Sequence, residues 1–153
     1  MSQKKPVRYL RYTLIFIGLN FALSAVNYIA ATFAGLELPT GFASVLTPMF
    51  AAMDSGMRYV RVCGQRPSNG YAWITATYMS LIFVAIIIPL AALVFWAMRF
   101  GEEEMAPAAF AAAMLLATLV FGVIALISNR IGFGLGAKIQ AKSLVDDVSR
   151  TFD

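Results

Sequence analysis

Histidine is absent from this 153-residue chain, and cysteine occurs once, as Cys63. Without histidine there can be no His-ligated zinc, no His-ligated haem and no mechanism built on a histidine base. A lone cysteine excludes an intramolecular disulfide and a Cys-x-x-Cys redox pair. Charge is also scarce. Only 13% of the residues are charged and 60% are hydrophobic, whereas soluble domains carry about a quarter charged residues. A soluble core of this size could not bury that much apolar surface.

The scarcity of charge has a pattern. No Asp, Glu, Lys or Arg occurs in the runs 12–35, 71–98 and 105–129. Each run exceeds the roughly 20 residues needed to cross a bilayer as a helix. A fourth segment, 38–60, is less clear, because its uncharged stretch Leu38 to Met53 is followed by Asp54 and Arg58. The positive-inside rule favours a crossing here too. If this segment crosses, Arg99 alone of the twelve basic residues lies on the outer side, and the other eleven share the inner one. Glu37 and Glu102 to Glu104 then occupy two short acidic outer turns. Tyr9, Tyr12, Tyr59, Tyr71 and Trp73 mark the inner interface, with Trp96 and Phe100 at the outer one. The first run is too long for the h-region of a cleaved signal and reads as a retained anchor.

These features predict an all-α fold: an integral membrane four-helix bundle forming one domain over 1–153, with both termini cytoplasmic. The tail 130–153 opens with Gly132, Gly134 and Gly136, which predict a flexible exit from the fourth span. Ile139, Leu144, Val145 and Val148 then recur at near-helical spacing and predict a short amphipathic helix on the inner surface. The three glycines lack the strand context and downstream acid of a nucleotide-binding loop. The net charge of +4 flanks apolar runs, so topology and anionic headgroups account for it and nucleic acid is not an expected partner.

Three constellations stand out. Asn20, Ser24 and Asn27 share one face of the first span, and Thr40, Ser44 and Thr47 repeat that spacing on the second. They read either as interhelical hydrogen bonding or as a polar path. The absence of an ionisable group at depth favours the first. Asp54 lies one turn from Arg58, with Arg61 three residues further on, so a carboxylate can pair with guanidinium groups at the inner boundary. This charge set either anchors the end of the span or meets a partner. Ala109, Ala113 and Gly122 form a small-residue face suited to close contact with another helix. Pro48 and Pro89 lie inside spans and read as sites of helix kinking.

Arg8-Tyr9, the turn Gly35-Leu-Glu-Leu-Pro-Thr-Gly41 and the loop Gly64-Gln-Arg-Pro-Ser68 resemble those of a family of small, uncharacterised four-span inner-membrane proteins of Gram-negative bacteria. The resemblance covers most of the first hundred residues. It departs in the alanine-rich fourth span and charged tail. It implies a bacterial inner membrane and this topology, and it supplies no catalytic residue.

Quinone-linked disulfide oxidases need cysteine pairs, and proton-coupled small multidrug exporters need an embedded carboxylate. This chain has neither. The expected function is therefore non-catalytic, with no cofactor or metal: an accessory or scaffolding subunit of a larger membrane complex, respiratory or photosynthetic assemblies being examples. Its expected partners are the lipid bilayer and other membrane subunits or further copies of itself. The alternative is a homo-oligomeric transporter or channel for a small solute.

Overall fold

A computed structural model of the chain describes residues 7–36, 40–98 and 107–151, with side-chain surroundings over 7–36, 45–93 and 108–145. It contains four helices: α1 (Tyr9–Ala34), α2 (Thr40–Cys63), α3 (Asn69–Met98) and α4 (Pro107–Thr151). Three helical segments, Tyr9–Ala34, Asn69–Leu93 and Ala108–Val145, are long and apolar enough to cross a membrane. α2, which carries Asp54, Arg58 and Arg61, is not among them. Glu37, Arg99, Phe100, the turn Glu102 to Glu104 and the side chains of Thr40, Ser44 and Trp96 lie outside the described residues.

Local chemistry sets the helix ends. α1 closes at Gly35, whose φ of 63° is the left-handed conformation that costs glycine little, and the Leu36 N–H returns to the Ala30 carbonyl at 3.2 Å. α2 ends in the same way at Gly64, with φ of 68° and its N–H on the Val60 carbonyl. Pro67 and Ser68 then open α3, where the Ser68 hydroxyl accepts from the Tyr71 N–H at 3.3 Å. α2 and α3 run unbroken through Pro48 and Pro89.

Contacts fix the helix directions. Tyr9 stacks obliquely on Tyr78 and Phe16 on Phe83, so α1 and α3 are parallel. Met49 meets Gly132 and Met53 meets Gly136, so α2 and α4 are parallel as well. Val84 meets Gly122 while Tyr71 meets Phe133, which makes α3 and α4 antiparallel. The start of α1, the 64–68 turn and the C-terminal part of α4 therefore gather at one end. The core sits there, built on Tyr12, Phe16, Met79, Phe83 and Phe133.

α4 departs from the sequence expectation. Its 45 residues form one continuous helix, roughly 67 Å long at the helical rise. No flexible glycine exit and no separate amphipathic helix follow residue 129 among the described residues. Residues 130–151 continue α4, which is apolar over most of its length. Three glycines in five residues disfavour a helix by about 1 kcal/mol each, but here tertiary packing overrides propensity. The register also makes α2 short. Thr40 precedes Met49 by nine residues and Pro107 precedes Gly132 by twenty-five, so α4 outreaches α2 by roughly 24 Å on the far side.

Candidate functional site: a locked end and an open apolar end

α2 and α4 approach to backbone contact. A Cβ on Gly132 would overlap the Met49 carbonyl oxygen and come within 3.0 Å of the Met49 Cα. On Gly136 it would meet the Met53 carbonyl, and on Gly56 the Phe133 carbonyl, with the Ala137 nitrogen at 3.0 Å. A glycine Hα occupies each of those directions and aims at the carbonyl, as in the weak Cα–H···O contacts that recur between helices. Gly134 lies on another side, with only the flexible Arg130 guanidinium near it. The sequence signal for this seam is Gly132-x-x-x-Gly136 on α4 facing Ala52-x-x-x-Gly56 on α2, a small-residue spacing that permits close approach. The contact face expected at Ala109, Ala113 and Gly122 is different. Ala109 and Ala113 are exposed, and a Cβ on Gly122 would meet only the Val84 side chain, at an ordinary 3.6 Å.

A buried polar relay ties three helices together beside this seam. The Tyr12 hydroxyl of α1 donates to Asn129 Oδ1 of α4 at 3.0 Å. Asn129 Nδ2 donates to Ser80 Oγ of α3 at 3.2 Å, and Ser80 donates to the Ala76 carbonyl at 2.8 Å. All three side chains are buried. An amide is well suited to the centre because it donates and accepts at once. A double-mutant cycle of Tyr12→Phe with Asn129→Ala is expected to give a coupling of about 0.6 kcal/mol in detergent unfolding, rising to at most about 1.7. Strict additivity would exclude the bond as a stabilising contact.

Charged contacts surround this end. Arg11 forks onto Asp54, with Nε to Oδ2 and Nη2 to Oδ1 both at 2.8 Å. The expected partners of Asp54 were Arg58 and Arg61 on its own helix. α1 instead supplies a guanidinium in bidentate geometry, which satisfies both carboxylate oxygens. Arg61 donates to Gln140 of α4 at 2.9 Å. Arg58 is half-buried in α2, with its Nε enclosed. Arg130 donates to Asn69 and lies 5.4 Å from the Trp73 ring centroid, a cation–π contact joining α4 to α3.

The residues of the expected polar faces are placed as follows. Asn20 donates back to the Phe16 carbonyl of its own helix at 2.9 Å, Ser24 is exposed and Asn27 half-buried. Thr47 is buried in α2. Among the described residues, the far halves of α1 and α4 are open. Phe21, Tyr28 and Phe33 on α1 are 75%, 71% and 82% exposed, and Leu115, Leu116 and Leu119 on α4 are exposed too. No group of three or more His, Cys, Asp or Glu side chains suited to a metal occurs among the described residues. The chain is matched by no protein-family model, no curated protein and no solved structure.

Proposed function

We propose that this chain is a four-crossing protein of a bacterial inner membrane, with both termini in the cytoplasm, that acts as a non-catalytic accessory or scaffolding subunit of a larger membrane complex such as a respiratory or photosynthetic assembly. The observation that carries this reading is the contrast between its two ends. One end is locked by backbone contact, a buried relay and bidentate charge. The other offers the apolar faces of α1 and α4, including Ala109 and Ala113, which are exposed among the described residues. Lipid supplies no hydrophobic drive for helices to associate, so packing and small-residue approach decide which faces pair. The exposed face of α4 is of that type.

A photoreactive amino acid placed at Phe21 and, separately, at Ala113 tests this in native membranes. Both sites are expected to crosslink to another membrane protein, whereas the buried Met79 position stays silent. Migration as a lone, uncrosslinked monomer would remove the proposal. Crosslinks running only to a second copy would favour the homo-oligomeric transporter or channel instead.

A further inference from the structure

From Ile127 onwards, α4 keeps an apolar stripe on the side that faces away from the core. Ile127, Ile131, Leu135 and Ile139 follow one another at four-residue spacing and are all half exposed or nearly so. At the end of this stripe a groove of about 640 Å³ opens between the turn after α2 and α4. It is lined by Arg66, Lys138, Lys142, Leu135, Ile139 and Val145. A neighbouring hollow of about 440 Å³ continues it past Gly64 and Arg66 to Leu144. Three cations thus share one groove, and among the described residues no carboxylate lines either hollow, the side chains of Asp146 and Asp147 lying outside them.

We infer that this groove is a binding site for an anionic phospholipid, the phosphate held by Arg66, Lys138 and Lys142 and an acyl chain laid along Ile139, Leu135 and Ile131. Charge complementarity selects an anion, and the apolar stripe selects its source. That stripe is continuous with the lipid-facing surface of the apolar helix, so a chain leaving the bilayer can follow it without crossing water, which a free phosphate cannot exploit. Basic pockets beside membrane helices on the cytoplasmic side bind such headgroups. The inference rests on the membrane reading above.

The test uses full-length protein in mild detergent, titrated with phosphatidylglycerol or with phosphatidylcholine of the same acyl chains and followed by native mass spectrometry. Wild type is expected to bind phosphatidylglycerol at least about tenfold more tightly, since each nearby cation contributes about fivefold. The triple variant Arg66→Gln, Lys138→Gln, Lys142→Gln is expected to lose that preference, and Lys142→Gln alone to lose about fivefold. Size-exclusion profile and helical circular dichroism check that the variants stay folded, and the single variant decides should the triple one misfold. Equal binding of the two lipids by wild type, or an unchanged preference in the folded variants, would overturn the site. Glycerol phosphate binding as tightly as the lipid would overturn the lipid assignment. Resistance of the protein to alkaline carbonate extraction, measured in parallel, reports on the membrane reading separately.

Discussion

Replacing Gly132 and Gly136 together by alanine is expected to destabilise the protein by roughly 4 kcal/mol, despite alanine being the better helix former. Alanine in place of glycine gains about 1 kcal/mol per site in a helix interior. Overpacking costs about 1–3 kcal/mol where side chains can adjust. Here the added methyls meet the Met49 and Met53 carbonyls and Cα atoms, which belong to the α2 backbone and cannot rotate away. The cost therefore lies at the upper end at both sites, and the α2–α4 seam must open along its length. Gly18→Ala is the matched control, because nothing lies within 4 Å of a Cβ there. It is expected to be neutral or mildly stabilising. Tryptophan fluorescence during SDS unfolding from mild-detergent micelles measures both, since Trp73 stands beside Arg130 at the α3–α4 contact. A double variant that unfolds at the wild-type SDS fraction would refute the seam.

The second large effect concerns orientation and is close to all-or-none. In a Cys63→Ser background, a cysteine replacing Glu103 is expected to react with a membrane-impermeant maleimide in intact cells. A cysteine replacing Ser68 is expected to react only after permeabilisation. The reasoning begins with charge: placing Arg58, Arg61 and Arg66 on the outer side would oppose the K/R asymmetry that orients membrane proteins. Helix directions agree with it. The start of α1, the turn bearing Ser68 and the later part of α4 meet at one end through Arg11 and Asp54, Tyr59 and Tyr71, and Arg61 and Gln140. Ser68 is exposed there, so protection in intact cells would reflect the membrane and not burial. Labelling at Ser68 but not at Glu103 would invert the topology. The same inverted pattern would arise if α2 alone failed to cross, and protection at both positions would mean that α3, the helix between them, does not cross.

Much of the architecture was legible before any coordinates. Uncharged runs longer than a bilayer needs identify α1, α3 and the first part of α4, because lipid penalises each buried charge and forces backbone groups to pair within a helix. Gly35, Gly64 and Ser68 mark helix ends because left-handed φ and side-chain capping are local properties. The weakness of α2 as a span was legible for the same reason, since Asp54 and Arg58 cut its apolar stretch short. The pairing of Asp54 was not. Local spacing offers Arg58 on the same helix, whereas Arg11 reaches it from α1 across 43 positions of sequence.

By itself, then, the sequence determined which three helices are long and apolar enough to cross a membrane and where most of the helices stop. Those outcomes follow from transfer free energy and backbone geometry, which act residue by residue. Only the tertiary structure decided that 130–151 would extend α4 and that Gly132 and Gly136 would lie against Met49 and Met53. It likewise decided that Asn129 would join Tyr12 to Ser80. A glycine is a flexible joint when its Hα faces open space and a rigid seam when a neighbouring helix backbone fills that space. That distinction depends on which helix arrives beside it, and the glycine's own sequence neighbours do not carry it.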